Sequence, residues 1–174
     1  MGRKKQFLQV KFLTAVSIKR GSMVNSKKSS SAEQIRAEEK IFALVEKALR
    51  IQLEKNPKLY LANNEYTYIQ PDFYSAEHCI VGEIFAHIGK PKKAQDNKIA
   101  NDILKMLLLE KISKKHYRKI IVVCDELEEK KLKGSSALSE GIRQFGIEIL
   151  YIQIDEQLRQ EIINAQERQK MTNA

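Results

Sequence analysis

Cysteine is nearly absent: Cys79 and Cys124 are the only two in 174 residues, each flanked by apolar neighbours in a β-like run. That points to reduced, buried thiols of the cytoplasmic kind rather than to a disulfide framework. Histidine is scarce as well, with His78, His87 and His116 alone and no paired cysteine spacing beside them. This argues against a structural zinc site, so any metal has to be held by oxygen. No stretch approaches the roughly 18 consecutive apolar residues of a spanning helix. With 43% hydrophobic and 30% charged residues, the composition suits a soluble globular chain with no membrane partner. No glycine-rich loop follows an expected strand, which removes the phosphate cradle of Rossmann or P-loop nucleotide binding. No internal repeat is present.

Acidic residues are missing from the first thirty positions, which hold Arg3, Lys4, Lys5, Lys11, Lys19, Arg20, Lys27 and Lys28. The remaining 23 basic and 22 acidic side chains nearly cancel, so almost all of the net charge of +9 belongs to residues 1–30. Basicity of that kind describes a tail, and the body has to be judged on local patches. Positive charge before "FLQVKFLTAVSI" faintly imitates a signal peptide, but Lys11 interrupts the run and no persuasive cleavage site follows. Residues 1–30 are therefore expected to form a basic, flexible leader ending in the polar linker "SMVNSKKSSS". Residues 31–174 are expected to form one domain, the size that a single core supports.

From Ser31 the text becomes periodic. "SAEQIRAEEKIFALVEKALRIQLEK" predicts a long amphipathic helix with Ile35, Phe42, Val45, Leu49 and Leu53 on its apolar side. Projected at about 100° per residue, Glu38 falls inside that apolar arc, so it is either a snorkelling carboxylate or one aimed at a site. Three β-like pieces follow, "LYLA", "YTYIQPDFY" and "AEHCIVGEIFAHI", which read as an antiparallel meander. "KKAQDNKIANDILKMLLLEKI" is a helix burying Ile99, Ile103, Met106 and Leu107, its stripe serving as core or as a homodimer face. "RKIIVVCD" and "IEILYIQI" read as fully buried strands, "SALSEGIRQF" as a helix ending at Gly146, and "DEQLRQEIINAQERQ" as a closing helix capped by Asp155. Strands that meander first and alternate with helices later make an α/β fold, a mixed central sheet flanked by helices.

In the third β-like piece Cys79, Val81, Glu83, Phe85 and His87 share one face of the strand. Glu83 thus stands in a largely apolar row, where an unpaired carboxylate is costly and a cation or hydrogen-bonding partner relieves the cost. Asp72, ending the preceding strand, is the natural second oxygen donor for a hard cation such as Mg²⁺. Asp125, at the end of "IIVVCD", reads as a helix cap or a solvent residue. His87 reads as a strand-end histidine, with contact to water or substrate as its functional alternative.

Pro71-Asp72, ten intervening residues, then Glu83, together with the helix, meander, helix, strand order over residues 32–154, resembles the PD-(D/E)XK nuclease superfamily. The resemblance implies a restriction-endonuclease-like αβββαβ core. It implies that Asp72 and Glu83, with the backbone carbonyl of Ile84, bind a divalent metal, Mg²⁺ or Mn²⁺, and that Glu38 is the first-helix carboxylate. The family's lysine, two residues after the glutamate, is Phe85 here. A cation about 4 Å from a developing anion contributes roughly 4 kcal/mol at an effective dielectric near 20, on the order of a thousandfold in rate. A competent enzyme therefore needs a substitute. Lys98, which shares a helix flank with Gln95 and Asp102, is the first candidate, and Lys90 the second. Lys90, Lys92 and Lys93 also stand at a helix N-terminus, where phosphate oxygens are favoured, although a solvated loop explains them equally well.

The expectation is a Mg²⁺-dependent nuclease acting on nucleic acid, DNA before RNA, with the basic leader adding affinity without sequence specificity. The main alternative is a nucleic-acid-binding or scaffold protein on the same fold, catalytically silent after losing the lysine. A flavodoxin-like binding domain is the third, and requires the meander to be something else.

Overall fold

The long periodic segments form helices where their apolar spacing places them. The computed structural model describes residues 27–61 and 66–172, so residues 1–26 of the expected leader lie outside the described residues. Helix α1 (Lys27–Leu49) begins inside the run read as a linker. A serine cap candidate marks a helix start without enforcing it, because end amides can be satisfied in several ways. The strands β1 (Glu54–Lys55), β2 (Leu59–Tyr60), β3 (Tyr68–Ile69), β4 (Phe73–Ser75) and β5 (Ile80–Phe85) follow. Then come α2 (Lys93–Ser113), β6 (Arg118–Val123), α3 (Glu126–Leu132), α4 (Ala137–Gln144), β7 (Ile147–Tyr151) and α5 (Glu156–Thr172).

The main sheet runs β1-β4-β5-β6-β7, antiparallel across β1, β4 and β5 and parallel across β5, β6 and β7. It is a mixed five-stranded sheet with helices on both faces. Crossovers α2 and α3–α4 lie on one face, as two parallel connections of the same hand require. There Val81, Phe85, Ile121 and Val123 pack with Ile99, Ile103, Met106, Leu132 and Ile142. On the other face α1 and α5 cover Phe73, Ile80, Ile84, Ile120 and Val122 with Ala37, Ile41, Val45, Leu158 and Ile162. Among the described residues no helix is long and apolar enough to cross a membrane.

The expected meander is divided. "LYLA" and the first half of "YTYIQPDFY" pair with each other as a separate hairpin, β2 with β3, while the second half joins the main sheet as β4. Pro71 makes the break: it has no N–H for a ladder and restricts the residue before it. The sheet's outer strand is instead β1, which pairs Glu54 with Tyr74 and Lys55 with Phe73. Three smaller expectations also change. Ile35 is exposed, the buried edge of α1 being Ala37, Ile41 and Val45. Only Ile147 of β7 is fully buried, because β7 is an edge strand. Helix α3, unforeseen, starts at Asp125, whose Oδ1 accepts from Leu127 N at 2.9 Å; Asp125 is a buried cap, not a solvent residue.

One glycine positions the site directly. A Cβ on Gly82 would lie 2.1 Å from the Phe73 ring and 2.7 Å from the Ile120 carbonyl oxygen. Phe73, fully buried, therefore crosses β5 at the only kind of residue that admits it, and brings Asp72 beside Glu83.

Candidate metal and nucleic-acid site

Strand β4 pairs with β5 only from Phe73 opposite Gly82 to Ser75 opposite Ile80. Beyond Gly82 the β4 edge of β5 has no strand beside it, and the Asp72 side chain takes that place: its Oδ2 accepts from Ile84 N at 2.7 Å. In an extended strand the N–H and C=O of one residue face the same edge. The Ile84 carbonyl therefore faces the side on which Asp72 lies.

Glu83 is 7% exposed and lies beside the Asp72 carboxyl. Burial first, then the Asp72 and Asp102 charges, push its pKa from 4.5 to about 8, with Lys105 pulling the other way. Buried beside another acid, Glu83 is costly to ionise and keeps its proton at neutral pH. Asp102 is buried on α2 and accepts from Lys105 Nζ at 2.7 Å. That bond, chiefly, and the charges of Asp102, Glu83 and Asp72 raise the Lys105 pKa. Three acids and one lysine thus converge where α2 crosses β5.

Lys98, one turn before Asp102, has its Nζ 5.7 Å from the centre of the Phe85 ring. The first-choice replacement lysine is therefore against the residue that occupies the motif position, while Lys105 is the cation in the acid cluster. Phe85 itself is buried in the apolar core and stacks on His87 at 5.9 Å. A cleft of about 120 Å³ opens round the end of β5, lined by Glu38, Ile84, Phe85, His87, Lys98 and Gln166 among others. Asp72 and Glu83 do not line it. Glu38, His87 and Lys98 thus line the cleft, whereas Asp72, Glu83, Asp102 and Lys105 form a cluster of their own.

Lys90, Lys92 and Lys93 are exposed at the start of α2. The turn is pinned by Gly89 N donating to Asp125 Oδ2 at 3.1 Å, and by Lys92 N donating to Gln95 Oε1 at 2.5 Å. Asp96, also in the first turn, is bound to Lys131 of α3. Lys90 is therefore held by its backbone, away from the acid cluster in sequence and at the helix end.

Two neighbouring carboxyls are oxygen donors of the kind that a hard divalent cation takes. A buried acid that keeps its proton beside another acid gains by exchanging it for a positive ion. Among the described residues no three His, Cys, Asp or Glu side chains are spaced to hold a metal ion.

Asp102 and Lys105 are the site members that the spacing left without a role. Their signal is the i, i+4, i+7 row with Lys98, legible only once α2 is known to run against β5. Comparison with family models, with curated proteins and with solved structures returned no match.

Proposed function

We propose that this chain is a divalent-metal-dependent nuclease with a restriction-endonuclease-like core, acting on DNA in preference to RNA. The observation that carries the reading is the pairing of Asp72, whose Oδ2 accepts from Ile84 N at the open edge of β5, with the buried Glu83, whose pKa the neighbouring acids help to raise to about 8. The order of helix, antiparallel β4–β5, crossover helix and parallel β6 supports the core assignment.

Asp72, Glu83 and the Ile84 carbonyl would hold Mg²⁺ or Mn²⁺. When bound, such an ion supplies a water of lowered pKa and positive charge for the phosphate oxygens. Glu83 would have to lose its proton to hold such a cation, so affinity would rise with pH through the range where Glu83 titrates. Asp72 does two things at once, since its Oδ2 also keeps the β5 edge in place through Ile84 N. Asp102 fixes the Lys105 ammonium, which offsets the negative charge of the ionised pair. Lys98 carries the positive charge that Phe85 lacks, with Lys90, Lys92 and Lys93 attracting the phosphate backbone at the start of α2. Glu38 and His87 stand at the cleft, placed to orient water or substrate. The exposed Leu104, Leu108 and Ile112 of α2 are the face on which a homodimer would form.

The test is cleavage of single- and double-stranded DNA and RNA with Mg²⁺ or Mn²⁺. Wild type should cut, Asp72→Ala and Glu83→Ala should not, and Lys98→Ala should lose on the order of a thousandfold. Activity that survives Glu83→Ala overturns the assignment. The buried Phe85 at the motif-lysine position favours a second reading, a catalytically silent nucleic-acid-binding protein. Saturable DNA binding with no cleavage by wild type selects it.

A further inference from the structure

Strand β5 ends at Phe85, and the chain bends at once: His87 N donates to the Phe85 carbonyl at 3.0 Å. Ile88 is buried beyond the ladder with β6, whose last pair is Phe85 opposite Val123, and buried peptide groups need partners. Helix α5 supplies them. Gln166 Oε1 accepts from Ile88 N at 2.9 Å, and Gln166 Nε2 donates to the Ile88 carbonyl at 3.0 Å. A side-chain amide, with a donor and an acceptor side by side, is suited to such a double bond.

The next residue is gripped as well. Gly89 has a φ of +99°, a conformation that L side chains rarely adopt, and its N donates to Oδ2 of the buried Asp125 at 3.1 Å. The same oxygen lies 3.6 Å from the Arg159 guanidinium. Arg159 and Gln166 stand about two turns apart along one face of α5. One helix face therefore holds Ile88 directly and Gly89 through Asp125. Ala86 and His87, just ahead of that grip, line the cleft, and Gln166 lines it too. The rest of the cleft belongs to β5 and to the long helices α1, α2 and α5. This wall is a turn, and a turn keeps one conformation only as far as its bonds hold it.

We infer that Gln166 is a positioning residue for substrate binding: it acts through the turn after β5 and holds His87 in place as a wall of the cleft that a nucleic-acid strand enters. Arg159, through Asp125, supports the same turn. This role rests on the nuclease reading for the identity of the substrate, and goes beyond it in giving α5 a part in the site.

The experiment measures two things on the full chain: cleavage kinetics with Mg²⁺, and affinity for labelled single- and double-stranded DNA in EDTA, where no cutting intervenes. Wild type is compared with Gln166→Met, Gln166→Ala, His87→Ala and the double variant His87→Ala/Gln166→Met. Gln166→Met removes both bonds to Ile88 and keeps an unbranched side chain of similar length. It should raise KM and Kd about tenfold and leave kcat within about threefold. Gln166→Ala should do the same, and keeps the test decisive should methionine fail to fit. Where His87 is already alanine, Gln166→Met should change Kd less than about twofold, because the clamp then has nothing left to position. A merely structural role gives another pattern: less folded protein, hence a lower apparent kcat with KM unchanged, and that pattern overturns the inference. Unchanged KM and Kd in both Gln166 variants overturn it too, as do equal losses with and without His87. Wild type that binds DNA without cutting sinks the nuclease and leaves Gln166 to be judged by the binding cycle. Wild type that cuts with a KM independent of Gln166 does the reverse, and wild type that neither binds nor cuts overturns both.

Discussion

Among the described residues two glutamates are buried, and they are buried differently. Glu83 on β5 and Glu128 on α3 both have raised pKa values, with desolvation the leading cause in each. Glu83 has the charges of Asp72, Asp102 and Lys105 around it, beside a stretch of strand edge that β4 leaves open. Glu128 is fully enclosed, neither of its carboxyl oxygens has a hydrogen-bond partner, and its nearest cation, Lys131 at 3.8 Å, is also bound to Asp96. One shift comes from acids gathered together at an edge, the other mainly from enclosure. Only the first is an arrangement that a cation can enter and improve, so a displaced pKa by itself does not mark a site.

The sharpest way to break the comparison is catalytic. Glu83→Ala should cost on the order of 10⁴-fold or more in cleavage rate, about 5 kcal/mol of barrier, whereas Glu128→Gln should leave the rate within about twofold. Initial rates on labelled DNA decide it; a deep loss in Glu128→Gln without a loss of folded protein would erase the distinction.

The next effect is on stability against pH. A carboxyl whose folded pKa lies above its unfolded value stabilises fully below the unfolded value, and loses that contribution as pH rises through the folded one. For Glu83 the window runs from 4.5 to about 8. At about 1.4 kcal/mol per unit, the loss has an upper limit of about 4 to 5 kcal/mol. Urea midpoints measured across that range should fall in wild type and flatten in Glu83→Gln. Added Mg²⁺ at pH 8 should restore much of the loss in wild type and none of it in Glu83→Gln. Glu128 titrates with the same sign, and no cation should rescue its share. Equal Mg²⁺ rescue of both proteins would place the ion elsewhere.

The smallest effect is a gain. Glu128→Met removes a buried carboxyl that has no hydrogen bond and only a distant Lys131 contact, while keeping its volume, and should raise stability at pH 8 by about 1 to 3 kcal/mol. Denaturation midpoints measure it. Destabilisation would mean that the Lys131 contact outweighs the cost of enclosure.

Much of the architecture is legible in the residues. Periodicity places α1, α2, α4 and α5, with Ile99, Ile103 and Met106 buried as their spacing requires. Asp155 caps α5, accepting from Leu158 N at 2.7 Å, as its position before the apolar run suggests. The strands are less legible, since two-residue elements such as β1 carry no period. A proline inside "YTYIQPDFY" could end a strand or sit at its edge, and here it separates a hairpin from the sheet.

Sequence alone determined that an acid would stand in the apolar row of β5, because alternation along an extended chain is a local property; it put Asp72 at the end of the preceding strand, whereas Asp72 stands just ahead of β4. It also determined that Phe85 cannot act as a lysine. Tertiary structure decided the rest. Phe73 crossing Gly82 sets Asp72 against Ile84, and the path of α2 over β5 brings Asp102 and Lys105 to Glu83 and lays Lys98 over Phe85. Those partners come from turns of helix and strand far apart in the chain. Their meeting depends on how two surfaces pack, a property that no stretch of residues carries by itself.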